Sequence, residues 1–494
     1  MRAAATRYGD RDALLAGDLR FSYRDLEETS DALAAGYALR IAPGDRVALM
    51  MTNRPEFVVV CNAVSKLGAA CVLLSPAWKQ REVDHALAIT GARLAFADGP
   101  AIELLRGRLA ADAVVDVDGA DYAAALAAKA TRPLVAVDPS DEAVLVFSSG
   151  TTGLPKAVRH THASMTHAID HWIEALGLTE ADRFQVATPP SHILGLLNLV
   201  TAAAAGATVR LHPRFDLDEI LHRIERERMT LEMAVAPIAL AMANHPTIED
   251  YDLSSLRYIM WGATPVTPSV AEAVTKRTGV RWLPAYGASE LPVITCNPVG
   301  RPEDWRLDSA GLPPKGVELR VVDLDSGAPL PAGETGEIQV RSASVMAGYL
   351  PDEDSAAAFD GEWYRTGDVG WLEADGWVHL TDRSKEMIKV NGFQVAPAEL
   401  EAVLHGHAAV LDCAVFGVTD AAAGERPVAA VVLDPSASVT TEELRQLVVA
   451  SLATYKHPRT VIEVDAIPRL PSGKVLRRAL AARWDDATDA LRSE

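Results

Sequence analysis

The chain has 494 residues, of which 49% are hydrophobic and 23% charged. That is the composition of an ordinary folded protein, and it excludes a disordered one. Its 47 basic and 67 acidic side chains give a formal net charge of −20, which excludes a general nucleic-acid binder, because that needs a basic face for phosphates.

The first part alternates helix and strand. Asp25–Leu39 has helical periodicity, and Pro43-Gly44-Asp45 turns the chain into a strand over Arg46–Met51. Pro55–Leu67 reads as helix, Ala70–Leu74 as strand, Glu82–Thr90 as helix and Ala92–Ala97 as strand. Asp141–Phe147 is a buried strand, and a second α/β set runs from Phe184 to Trp282. This succession predicts α/β layers with mostly parallel strands. Ile193–Val209 is apolar except for Asn198, Thr201 and Thr208, and it reads as one buried helix, not a membrane span. From about 308 to 381 the texture changes to short strands, Val317–Val322, Gly336–Arg341 and Gly376–Leu380, between Gly, Pro and Asp turns, which predicts a small β-barrel or curled sheet. The last segment is long enough for its own domain. Its expected helices are Pro397–Leu404 and Thr441–Leu452, and its strands Ala408–Gly417 and Val428–Leu433. Cys61, Cys71, Cys296 and Cys413 form no C-x-x-C pair, so neither a zinc knuckle nor a dithiol redox site is predicted. Residues Met1–Asp12 lack the apolar core of a signal peptide, and a reducing, cytoplasmic setting is expected.

Ten lysines stand in the chain, at 66, 79, 129, 156, 276, 315, 385, 389, 456 and 474, so each is worth locating. Lys156 closes the run Ser148-Ser149-Gly150-Thr151-Thr152-Gly153-Leu154-Pro155-Lys156, directly after the strand Asp141–Phe147. Glycines let backbone N–H groups converge on an anion, the hydroxyls add donors, and the lysine adds a point charge for polyphosphate. The spacing is not that of a Walker loop.

The run resembles the signature loop of the adenylate-forming superfamily: acyl-CoA synthetases, aryl-CoA ligases, luciferases and peptide-synthetase adenylation domains. Ala157 stands where that family usually has glycine. Further segments resemble the family in the same order. Pro189-Pro190-Ser191-His192-Ile193-Leu194-Gly195 is similar to its acyl-pocket segment, with Ser191 in place of an aromatic. Tyr286-Gly287-Ala288-Ser289-Glu290 is similar to its Tyr-Gly-x-Thr-Glu motif. Tyr364-Arg365-Thr366-Gly367-Asp368 and Asp382-Arg383-Ser384-Lys385-Glu386-Met387-Ile388-Lys389 follow, then Asn391-Gly392-Phe393-Gln394, and finally Leu470-Pro471-Ser472-Gly473-Lys474. The nearest likeness is to acid–CoA ligases of the 4-coumarate–CoA ligase type.

The resemblance implies a large adenylation domain over residues 1–382 (two α/β subdomains and a β-barrel-like part), a hinge at 383–385 marked by Lys385, and a small mobile α+β domain over 386–494. It implies that Ser148, Ser149, Gly150, Thr151, Thr152, Gly153 and Lys156 hold the nucleotide phosphates. Tyr286 would stack on adenine, Ser289 would contact the α-phosphate, and Asp368 and Arg383 the ribose, with Gly287 and Gln394 also in the nucleotide-binding set. Glu290 would hold Mg²⁺, a hard cation that suits a carboxylate. Lys474 would be the catalytic lysine of the first step. Lys389, Asn391 and Gly392 would face the thiol in the second, with Asn391 where related plant-type ligases often carry lysine. The implied acyl pocket draws on His192, Ile193, Leu194, Leu197, Asn198, Met260, Trp261, Gly262, Pro284, Ala285, Pro292 and Val293. That set is mainly apolar and has no aspartate for an α-ammonium group, which disfavours amino-acid activation. The expected substrates are ATP, coenzyme A and an apolar aromatic, alicyclic or medium-chain acid. An acyl-carrier-protein acceptor and a catalytically dead binding homologue are the alternatives. The oligomeric state, a dimer among the options, stays open.

Overall fold

The computed structural model describes residues 1–127, 135–148, 154–264, 266–383, 386–390, 393–420, 423–469 and 474–492. Two largely parallel sheets dominate. The first has seven strands in the order Gly348–Leu350, Lys156–Thr161, Glu142–Ser148, Ala70–Leu73, Arg46–Met50, Leu94–Ala97, Val114–Asp116. Its five strands from Glu142–Ser148 onward are parallel, and Lys156–Thr161 returns antiparallel. The second has eight, ordered Thr295–Cys296, Trp282–Tyr286, Tyr258–Trp261, Leu231–Ala234, Arg183–Val186, Thr208–Leu211, Asp12–Ala16, Leu19–Ser22. It is parallel apart from the pairings at its two ends.

The alternation of strand side chains sorts them into separate cores. Val47 and Leu49 join a cluster with Leu14, Phe184 and Met260 that ties the two sheets to the helices Tyr23–Tyr37, Pro55–Lys66, His162–Leu176 and Ile193–Ala205. Ala48 and Met50 face the opposite way, onto Gln80–Thr90 and Ala101–Arg106. The far face of the second sheet packs under Leu217–Glu227, Ala236–Ala243 and Pro268–Thr278.

The expected single helix over Ile193–Val209 is instead a helix, Ile193–Ala205, followed by the strand Thr208–Leu211. Gly206 sits between them at φ 82°, and a Cβ there would lie 2.3 Å from the Tyr8 ring. Hydropathy cannot separate a buried helix from a buried strand behind it, but a glycine at a left-handed C-cap ends the helix. The N-terminal strands Asp12–Ala16 and Leu19–Ser22, unexpected from the sequence, complete this sheet's edge.

The strand-rich segment forms a five-stranded antiparallel sheet of Val317–Val322, Gly336–Ser342, Phe359–Asp360, Trp363–Leu372 and Val378–Arg383. Among the described residues no ladder closes it into a barrel, so the open sheet is the form seen. A fourth sheet contains Ile388–Val390, Phe393–Val395, Val410–Asp420, Gly424–Leu433 and Val461–Glu463. Pro397–His405 and Thr441–Ser451 pack on one face of it, and the start of Arg477–Arg492 on the other. A cavity of about 330 Å³ lies between Pro237, Leu240, Trp261 and Thr267 on one side and His405, Asp412 and Arg469 on the other. No helix among the described residues is long and apolar enough to cross a membrane.

Candidate active site

The strand Trp282–Tyr286 ends in a tight turn that the sequence writes as Tyr286-Gly287-Ala288-Ser289-Glu290. Ala288 N–H donates to Leu291 O at 2.9 Å, and Ile294 N–H to Tyr286 O at 2.9 Å. A Cβ on Gly287 would lie 2.1 Å from Pro292 O, so only glycine fits that turn. His160, fully buried, fixes the turn from the neighbouring sheet. Its Nε2 is 2.7 Å from Ser289 O. The carbonyl can only accept, so the ring carries a proton there. Burial lowers the His160 imidazole to about 4, so it is neutral at pH 7. Motif matching missed His160 because no pattern marks it: it lies in the mixed strand Lys156–Thr161, beside Arg159 and Thr161.

Glu290 follows, itself buried. Its Oε1 accepts from the Tyr349 hydroxyl at 2.8 Å, and its carbonyl accepts from Met346 N–H at 2.8 Å. Burial, and next the Glu290 charge, raise the Tyr349 hydroxyl far above its ordinary value, so it stays a donor. Tyr349 lies on Gly348–Leu350, which pairs with Lys156–Thr161 (Tyr349 opposite Val158, Leu350 opposite Ala157). The Lys156 ammonium sits 5.4 Å from the centroid of the Tyr349 ring and 2.8 Å from Asp354 Oδ1. Neither Tyr349 nor Asp354 was singled out from the sequence.

Tyr286 and Asp368 are also brought together, the tyrosine hydroxyl donating to Asp368 Oδ2. Asp368 is buried, follows Gly367 at φ 69°, and its amide donates to Thr366 Oγ1 at 3.0 Å. It stands opposite Arg383 in the ladder between Trp363–Leu372 and Val378–Arg383. Gln394 stands opposite Lys389, which is exposed. Lys474 Nζ lies 3.2 Å from Glu386 Oε1, and Glu386 also pairs with Arg477. Ser148 ends its strand. Ser149, Gly150, Thr151, Thr152, Gly153, Lys385, Asn391 and Gly392 lie outside the described residues.

The expected acyl residues divide. His192, Ile193, Leu194 and Ala285 are half-buried, and burial lowers the His192 imidazole. Leu197, Met260 and Val293 are fully buried in one core cluster. Pro284 and Pro292 are buried, and a Cβ on Gly262 would meet Met260 Sδ at 3.2 Å. Trp261 points to the other face of its strand, where its ring packs 5.1 Å from that of Trp282. Asn198 is fully buried, its Oδ1 accepting from Trp172 Nε1 at 2.8 Å. Its amide nitrogen has no partner among the described residues.

The description "AMP-binding enzyme" fits residues 1–350 by its family model, and "AMP-binding enzyme C-terminal domain" fits residues 399–474. The chain is 34% identical to 4-coumarate–CoA ligase 5 of Oryza sativa subsp. japonica, with 96% of this chain and 92% of the rice protein covered. Its fold superposes on an anthranilate–CoA ligase in complex with anthranoyl-AMP with a TM-score of 0.92 at 27% identity, covering 99% of this chain and 97% of that one. It also superposes on an amide bond synthetase from Marinactinospora thermotolerans with a TM-score of 0.88 at 31% identity, covering 98% of each. With both halves matched and the fold shared end to end, the chain belongs to the AMP-binding enzyme family and is an AMP-forming ligase.

Proposed function

We propose that this protein is an ATP-dependent carboxylic acid–CoA ligase. In the first step the substrate carboxylate attacks the α-phosphate of ATP, forming an acyl-adenylate and expelling pyrophosphate. In the second the CoA thiol attacks the adenylate carbonyl, AMP leaves, and the thiol proton is released. The observation that carries the reading is the meeting of side chains from distant motifs: Tyr349 joins Glu290 through its hydroxyl and Lys156 through its ring, and Tyr286 meets Asp368.

The first step brings an anion up to a polyphosphate. Lys156 and Lys474 offset that repulsion and stabilise charge growing on the phosphate oxygens. The nucleophile is already ionised at neutral pH, so no side chain has to remove a proton. Asp368 offers an acceptor for ribose hydroxyls, and the Tyr286 ring a face for the base. Lys389, Asn391 and Gly392 are assigned to the thiol step, after the part beyond the hinge at 383–385 has turned; rotation about a short hinge is an established way to reuse one site. Glu290 is the residue that would hold Mg²⁺. Its carboxylate is buried with Oε1 on Tyr349, and no group of three His, Cys, Asp or Glu side chains is gathered among the described residues. That donor set fits an ion held by one carboxylate plus substrate phosphates and water. When bound, Mg²⁺ supplies neutralisation of phosphate charge.

The substrate is assigned as an apolar aromatic, alicyclic or medium-chain acid. The apolar Ile193, Leu194, Ala285 and Pro292 support this, as do relatives named for aryl acids. The test is a panel of carboxylic acids with pyrophosphate release as readout, followed by CoA or a carrier protein as acceptor. Acid-dependent pyrophosphate release and a CoA thioester are expected. ATP binding with no release for any acid would overturn the reading.

A further inference from the structure

Lys156, the first residue of its strand, already has an anionic partner. The chain leaves Gly348–Leu350 beside Lys156–Thr161, passes Pro351 and enters the short helix Glu353–Ala356. Ser355 stitches this turn down, its Oγ accepting from Tyr349 N–H at 2.8 Å. Arg159 clasps it a second time through Asp352 at 2.9 Å. These contacts deliver the Asp354 carboxylate to within 2.8 Å of Lys156 Nζ. The ammonium is held between that carboxylate and the Tyr349 ring, whose hydroxyl reaches Glu290.

Both ends of the ion pair are about one-third exposed, Lys156 at 31% and Asp354 at 32%. A pair so placed is open to an incoming anion and exchanges at small cost. Two carboxylate oxygens offer the same hydrogen-bond chemistry as two phosphate oxygens, with less charge. From this geometry we infer that Asp354 is an internal competitor for Lys156, a residue that a polyphosphate displaces on binding and that thereby sets the affinity for ATP and for pyrophosphate. The inference rests on the ATP-dependent reading above. It concerns the terminal phosphates only. AMP has none, so its affinity does not depend on Asp354. A purely structural clamp would behave differently: removing it would lower thermal stability and leave all three affinities alike.

The test is isothermal titration of the full chain and of its Asp354→Asn and Asp354→Ala variants with ATP, pyrophosphate and AMP, beside melting temperatures. Loss of an exposed pair predicts that ATP and pyrophosphate bind about two- to fivefold more tightly, with AMP unchanged. In a Lys156→Ala background the gain should vanish. Unchanged or weaker ATP binding in both variants would overturn the inference, as would an equal shift for AMP or a gain that persists without Lys156. If the unsubstituted chain binds neither ATP nor AMP, the proposed function itself fails. If it binds both and the variants match it, only the role of Asp354 fails.

Discussion

Asp382 Oδ2 accepts the backbone N–H of Ala398 at 3.1 Å. Asp382 belongs to the strand Val378–Arg383, before the proposed hinge, and Ala398 to the first turn of Pro397–His405, beyond it. The residue at that helix's own N-cap, Ala396, offers no side-chain acceptor, so a carboxylate from across the hinge supplies the cap. Loss of a capping side chain typically costs about 0.5–2 kcal/mol. Asp382→Ala should shift an unfolding transition of the C-terminal part to lower urea, followed by fluorescence. An unchanged urea profile would contradict the capping role.

Lys474→Ala should slow pyrophosphate release by about 10²–10³-fold, the usual effect of deleting one transition-state charge partner. Thioester formation from supplied acyl-adenylate should survive. Equal loss of both half-reactions would remove Lys474 from the role assigned to it.

Tyr349→Phe leaves Glu290 Oε1 without its donor, at a cost of about 1–3 kcal/mol for a buried acceptor left unpaired. ATP–pyrophosphate exchange should fall and the melting temperature should drop. Wild-type values for both would show that the contact is idle.

Gly287→Ala places a methyl group where Pro292 O stands at 2.1 Å. The backbone must shift, and overpacking of this kind costs about 1–3 kcal/mol. The melting temperature should fall and ATP affinity should weaken together, because the turn carries Ser289 and Glu290. A variant that melts and binds like the parent would show that the turn can open.

Glu232 is fully buried, with Gln185 Nε2 donating to it at 2.9 Å, and burial raises its carboxyl to about 8. Its folded value lies above the ordinary 4.5, so the folded chain holds a proton that the unfolded chain releases. Stability from this group is complete below about pH 4.5 and is lost as pH rises toward about 8. Glu232→Gln should flatten that part of the stability–pH curve, measured by denaturant unfolding at several pH values. His160 works in the opposite direction: held near 4, it costs stability as pH falls from about 6.5 to 4. A curve for Glu232→Gln that parallels the parent between pH 5 and 8 would refute the assignment.

The α/β layers, the strand Glu142–Ser148 and the glycine-bearing Tyr286 turn were legible in the sequence, because each is written locally by periodicity or by a residue type that few others replace. The split of Ile193–Val209 was less so: Gly206 marked it, but uniform hydropathy concealed it. Tyr349, Asp354 and His160 could not be read at all, since each matters through a partner reached only by the sheet order. Trp261 shows the reverse failure. The resemblance put it with Met260 in one pocket, whereas the strand's period of two sends their side chains to opposite cores.

Lys474, Glu386, Arg477 and Glu401 form one connected set of two cations and two anions, and all four lie beyond Arg383. The lysine is therefore held beside its own countercharge. Whatever excursion that part of the chain makes, it carries an electrically balanced unit past the rest of the protein. Under the proposed function, a ligand's phosphates must displace Glu386 before the lysine is available to the first step.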